Sequence, residues 1–91
     1  MDWSEDQYVD YLRAERRRFA WVMHRYGGCT PAQADAAALE HYPYQTSDAP
    51  YRALVFHDQA WHWAMLKIHK ELYWVDHPEL AQPPAEYRGL A

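Results

Sequence analysis

The chain has 91 residues, 49% of them hydrophobic and 16% aromatic, and a formal net charge of −4. This composition argues against disorder and predicts one domain with a modest core. The N-terminus is acidic, with no basic stretch before an apolar run, and no apolar run approaches the roughly 20 residues of a membrane span. Cys29 is the only cysteine, so no internal disulfide can form, and we expect a reducing compartment, the cytoplasm.

The first predicted helix runs from about Ser4 to Tyr26. Ser4 is a suitable N-cap, and the positive end of the helix dipole favours the acids that follow it. Gly27 and Gly28 should end the helix, since glycine adopts the left-handed conformation of a C-cap. Glu15 interrupts the apolar face, so we expect the middle of the helix to be weakly amphipathic. Apolar side chains recur along that face at three- and four-residue spacing: Tyr8, Leu12, Phe19, Val22, Met23 and Tyr26.

The second predicted helix starts at the motif "TPAQ". Thr30 can cap the helix, Pro31 suits its first position, and the Gln33 side chain can reach back to complete a capping box. The helix should end near Tyr42, because Pro43 disfavours helical geometry at the residue before it. Its many alanines allow close approach to a neighbour, so we expect a short packing helix.

A loop over residues 43–50 should lead into a third, long helix from about Pro50 to Val75. Ser47 or Asp48 is the expected cap of this helix. On a helical wheel one stripe forms the core-facing side: Leu54, His57, Trp61, Ala64, Met65, Ile68, Leu72 and Val75. A second row beside it forms a partly buried flank: Val55, Gln59, His62, Leu66, His69 and Tyr73.

The third helix should end before His77 and Pro78, and residues 78–91 are rich in proline. We expect this tail to lie across the helices through Leu80 and Tyr87, with its last residues frayed. The sequence therefore predicts an all-α fold. Residues 1–77 form a three-helix bundle of one long, one short and one long helix, and the proline-rich C-terminal tail packs across it.

Three large aromatic side chains of the third helix lie nearly opposite its core-facing stripe. They are Phe56, Trp63 and Trp74, and they share that side with Lys67 and Lys70. The tail or the first helix could cover this side. Otherwise it is a protein-binding surface for a second copy, as in a homodimer, or for a different protein, because tryptophan is enriched where interfaces concentrate binding energy.

An arginine cluster on the first helix gives residues 13–25 five arginines against one acid, a local charge of +4. Such a cluster could bind nucleic-acid phosphates, with Tyr11 and Trp21 adding stacking. The acidic balance of the whole chain and the nearby acids within the helix favour a solvated, salt-bridged face instead. The arginines are Arg13, Arg16, Arg17, Arg18 and Arg25.

Six histidines raise the question of a metal site. Asp58 and His62 are one helical turn apart and could face one ion. His62 and His69 are separated by roughly 10 Å along a helix axis, too far to share one zinc ion. No other local ligand set is present, so we expect no metal and no other cofactor. Asp58–His62 and His69–Tyr73 then serve as side-chain pairs on the flank.

Cys29 precedes the second helix, whose positive end would stabilise a thiolate. His24 and His41 are candidate bases, but no cysteine-enzyme or other catalytic motif surrounds the thiol. The sequence therefore favours a small non-enzymatic cytoplasmic protein that associates with proteins through an aromatic-rich helix. The alternatives are a nucleic-acid-associated regulatory protein that uses the arginine cluster, and a small metal- or thiol-dependent enzyme.

Overall fold

The structure is a computed structural model that describes residues 4–50, 52–70 and 72–90. Over these residues the backbone forms helices and turns and no strand, so the predicted all-α class is confirmed. None of these helices combines the length and the apolar content that crossing a membrane requires. The elements are α1 (Glu5–Gly27), α2 (Pro31–His41), a 3₁₀ turn (Leu54–His57), α3 (Ala60–His69), α4 (Tyr73–Asp76), a second 3₁₀ turn (Pro78–Leu80) and α5 (Ala85–Arg88).

Helices α1 and α2 begin and end as their local signals predict. The Ser4 side chain accepts from the backbone amide of Gln7, and the Gln7 side chain accepts from the amide of Ser4, which completes a capping box. Thr30 and Gln33 form the same reciprocal pair at the start of α2. Gly28 ends α1 in the left-handed conformation, with φ 71°.

The prediction of one long helix over residues 50–75 is wrong. Asp58 is extended, with φ −127° and ψ 163°, and separates the first 3₁₀ turn from α3. Lys70 and Leu72 both have positive φ and separate α3 from α4. The two residues expected to cap the long helix lie in the preceding loop and cap no helix: Ser47 and Asp48.

The start of α3 explains the first of these breaks. The backbone amide of Ala60 donates to Glu15 Oε2 over 3.2 Å, and the amide of Trp61 donates to the Tyr87 hydroxyl over 3.0 Å. The first amides of a helix have no partner within it, so these distant acceptors define where α3 begins. Glu15 also pairs with Arg18 at 3.3 Å and is only 3% exposed. The sequence predicted that Glu15 interrupts the apolar face of α1, but the structure buries it there.

The core lies where α1 contacts α2 and α3, an arrangement compatible with the predicted three-helix bundle. Part of the predicted stripe is buried: Trp61, Ala64 and Met65. Leu54, Leu72 and Val75 are exposed, so their assignment to the core is wrong. A helical wheel assumes one straight helix, and these three residues lie outside α3. The side chain of His57, also assigned to the stripe, lies outside the described part of the structure.

The proline-rich tail contacts the helices through the buried Tyr87, as predicted, and through two backbone carbonyls. The Trp61 indole Nε1 donates to the carbonyl of Leu80 over 2.8 Å. The Arg18 guanidinium donates to the carbonyl of Leu90 over 3.2 and 3.3 Å. The expected fraying at the end of the chain includes Ala91, which lies outside the described residues.

Candidate functional site

Two of the five residues predicted to bind a partner pack against other elements of the fold. The Phe56 ring centroid lies 4.6 Å from that of Tyr11 in α1. Trp63 is half-buried, its ring centroid lies 5.3 Å from that of His41 in α2, and its Nε1 donates to the Val55 carbonyl over 3.0 Å. Helices α1 and α2 therefore cover part of the side on which the sequence predicted a protein-binding surface.

Helix α4 and its N-cap residue Leu72 carry a cluster of exposed apolar side chains. Tyr73 is its buried residue. The apolar side chains around Tyr73 are exposed by 54% for Leu72, 43% for Trp74 and 62% for Val75. We refer to these three as the α4 surface. Only Trp74 among them was predicted to bind a partner, because the helical wheel placed the other two in the core.

Exposed charged residues of opposite sign flank the α4 surface along the chain. Lys67 and Lys70 precede it, and both are exposed. Asp76 and Glu79 follow it and are also exposed, with Glu79 Oε2 lying 3.6 Å from His77 Nδ1. Along the chain, the surface is therefore preceded by two exposed bases and followed by two exposed acids.

Strained backbone presents this surface to solvent. Lys70 has φ 66° and ψ −158°, a conformation that is almost exclusive to glycine. Leu72 has φ 63° and ψ 27°, in the left-handed region that costs a residue with a side chain roughly 1–2 kcal/mol. No local signal marks these positions, since lysine and leucine are good helix formers.

A histidine, a carboxylate and a tyrosine form a polar group at the start of α3. His62 Nε2 lies 3.6 Å from Asp58 Oδ2, which confirms the predicted pair. His62 Nδ1 lies 2.9 Å from the Tyr73 hydroxyl, a contact that sequence spacing does not predict because the α3–α4 break creates it. These residues and Gln82 line a groove of about 140 Å³.

The predicted His69–Tyr73 pair is wrong, because the Tyr73 hydroxyl contacts His62 instead. The His69 ring centroid lies 4.6 Å from that of His77. Within the described ranges, no cluster of three or more histidine, cysteine, aspartate or glutamate side chains is arranged to hold a metal ion.

The arginine cluster is divided between different contacts. Arg16 Nε donates to the backbone carbonyl of Tyr42 over 2.8 Å. Arg18 pairs with the buried Glu15 and with the tail. Two of the five guanidinium groups thus hold the fold together. The other three arginines are exposed: Arg13, Arg17 and Arg25.

The two candidate bases for Cys29 make other contacts. The half-buried Cys29 has its carbonyl oxygen 2.8 Å from His24 Nδ1, so this nitrogen donates to the backbone. His41 stacks on Phe19, with ring centroids 5.0 Å apart. Burial, and to a lesser extent the charge of Lys67, lowers the pKa of His41 below its ordinary value.

None of the comparisons with protein families, curated proteins and solved structures finds a match for this chain. Function is therefore inferred from the contacts, charges and exposed surfaces described above.

Proposed function

We propose that this protein is a small, non-enzymatic cytoplasmic protein that associates with a second copy of itself through the α4 surface. The three-helix bundle of α1, α2 and α3 would serve as the scaffold that presents this surface. The observation that carries the proposal is the exposure of three large apolar side chains within one four-residue segment: Leu72, Trp74 and Val75.

Single exposed apolar residues are common, but a cluster that includes tryptophan is typical of an interaction site. The strained φ of Leu72 adds support, because backbone strain persists where the surrounding structure imposes it and often marks function. Of the five predicted residues, Lys67, Lys70 and Trp74 belong to the proposed interface. Phe56 and Trp63 pack instead against Tyr11 of α1 and His41 of α2.

A second copy is the partner that the charges favour. In a two-fold symmetric dimer the same patch is used twice, so it must be complementary to itself. An antiparallel pairing of two α4 surfaces would place Lys67 and Lys70 of one copy near Asp76 and Glu79 of the other. Such complementarity sets the orientation and the specificity of association.

Sedimentation equilibrium over a range of protein concentrations tests this proposal. We expect a monomer–dimer equilibrium that Trp74→Ala weakens about 30-fold, equivalent to a hot-spot contribution of about 2 kcal/mol. Leu39→Ala is the matched control, because Leu39 is an exposed apolar residue on α2. A wild-type protein that stays monomeric, or a control that weakens the dimer equally, would contradict the proposal.

Charge reversal tests the orientation of the two copies. Lys67→Glu and Asp76→Lys should each weaken the dimer, because each places like charges across the interface. The double variant should recover association, since positions 67 and 76 then again carry opposite charges across the interface. Failure of the double variant to recover, while both single variants remain folded, would argue against this antiparallel orientation.

The alternative nucleic-acid role predicts strongly salt-dependent binding. Because Arg16 and Arg18 make contacts within the fold, we expect no binding to duplex DNA tighter than micromolar at physiological salt. Fluorescence anisotropy with labelled DNA measures this. Tighter binding that is lost in Arg17→Glu would favour the alternative over self-association.

A further inference from the structure

Two potential metal ligands face each other across the first turn of α3. Asp58 Oδ2 and His62 Nε2 are 3.6 Å apart, too far for a good hydrogen bond. Ligands about 2.0–2.1 Å from a tetrahedral zinc ion are separated from one another by about 3.3 Å. The observed gap is therefore close to the spacing of two ligands on one ion.

The other ring nitrogen of His62 has the partner that a metal-binding histidine needs. Its Nδ1 lies 2.9 Å from the hydroxyl of Tyr73, which is buried. A tyrosine hydroxyl can accept a hydrogen bond from an Nδ1–H group. In the tautomer that makes this bond, Nε2 carries no proton and can bind an ion on the side of Asp58. Outer partners of this kind orient metal-ligating histidines.

The surroundings leave room for an ion and for solvent. Asp58 and His62 line a groove of about 140 Å³ together with Gln59 and Gln82. Both ligand side chains are partly exposed, so an ion has a path to them. A water molecule occupies about 30 Å³ of liquid, so the groove can hold the waters that would complete the coordination.

From this geometry we propose that Asp58 and His62 bind a divalent transition-metal ion, with Zn²⁺ as the test ion and water in the remaining positions. Imidazole nitrogen together with carboxylate oxygen suits zinc. With only two protein ligands, the ion would exchange with solvent, and the fold would not depend on it. The sequence spacing showed two ligands and predicted no site. The contact between Tyr73 and His62 forms only because the chain breaks between α3 and α4. The proposal does not depend on self-association.

Isothermal titration of the full chain with ZnCl₂, after dialysis against chelator and then buffer, tests the site. We expect one zinc ion per chain, with affinity lowered at least tenfold in His62→Gln and in Asp58→Asn. Tyr73→Phe keeps the buried ring and should lower the affinity by about 10–100-fold, the usual effect of losing an outer partner. His69→Gln is the control and should bind zinc like the wild type.

Nitrogen-15 NMR of the histidine side chains gives an independent readout. Zinc should shift the Nε2 resonance of His62 and leave the His69 resonances in place. Circular dichroism of each variant shows whether it is folded. The proposal is overturned if folded His62→Gln binds zinc as tightly as the wild type, if His69→Gln abolishes binding, or if millimolar zinc leaves the His62 resonances unchanged.

Discussion

Helices α1 and α3 are both capped at their N-termini, but the caps come from different places. The first amides of α1 are served by Ser4 and its neighbour Gln7, three residues apart. The first amides of α3 donate to Glu15 and Tyr87, which are 45 and 26 positions away along the chain from their respective partners. The start of α1 is thus encoded locally, whereas the start of α3 depends on α1 and α5 being in place.

This difference predicts a hierarchy of stability. Isolated helices are marginal unless local signals and packing support them, and α3 has no side-chain cap of its own. Substitutions that act through the tertiary contacts of α3 should therefore cost more than substitutions of local caps. The following predictions run from the largest expected effect to the smallest.

Trp61→Ala should lower the free energy of unfolding by about 3–5 kcal/mol. Trp61 is 2% exposed, and its Nε1 holds the tail through Leu80. Urea unfolding followed by circular dichroism measures the loss. Trp74→Ala is the control, since an exposed tryptophan should change the stability of the monomer by about 0.5 kcal/mol or less. Equal losses in the two variants would mean that the buried Trp61 stabilises the fold no more than the exposed Trp74 does.

Glu15→Ala should cost about 2–3 kcal/mol, because the buried carboxylate makes charged hydrogen bonds to Ala60 and Arg18. Ser4→Ala, which removes a local cap, should cost about 1 kcal/mol. Chemical denaturation of both variants compares the distant cap with the local cap directly. A Ser4→Ala loss as large as that of Glu15→Ala would break the comparison between α1 and α3.

Lys70→Gly should raise the free energy of unfolding by about 1 kcal/mol, because glycine adopts the backbone conformation of this position without strain. Lys67→Gly is the matched control within α3 and should lower stability by about 1 kcal/mol. Thermal melts of the two variants should therefore shift in opposite directions. Parallel losses would show that the α3–α4 break is not strained in solution.

The smallest effect is a pH dependence at His41, whose ring contacts Trp63 and so joins α2 to α3. Its folded-state pKa is lowered by burial, so the unfolded chain, with an ordinary pKa of about 6.5, takes up the proton first. His41 should leave stability unchanged above about pH 6.5 and reduce it as the pH falls from there towards the folded-state pKa.

His41→Phe should flatten this part of the stability profile, measured by urea unfolding between about pH 5 and 8. His24→Gln is the control, because His24 is exposed. If His41→Phe shows the same pH dependence of stability as the wild type, proton uptake by His41 on unfolding is not a source of that dependence.

The part of the fold that could be predicted is the part with local signals. Thr30 and Gln33 lie three residues apart and satisfy each other's backbone, so the start of α2 needed no knowledge of the rest of the chain. The Asp58–His62 pair was predictable for the same reason, since both residues lie within about one helical turn. Trp61 was placed correctly because it lies inside a straight segment.

The sequence by itself determined the all-α class, the bounds of α1 and α2, and the exposure of Trp74. Only the tertiary structure decided that Glu15 is buried, that Leu72 and Val75 are exposed, and that Tyr73 meets His62. The physical reason is the distance along the chain over which each interaction acts. A cap or a helical wheel depends on residues within a turn or two of each other. The start of α3 depends on acceptors in α1 and α5, and its end depends on backbone angles that the local sequence does not favour.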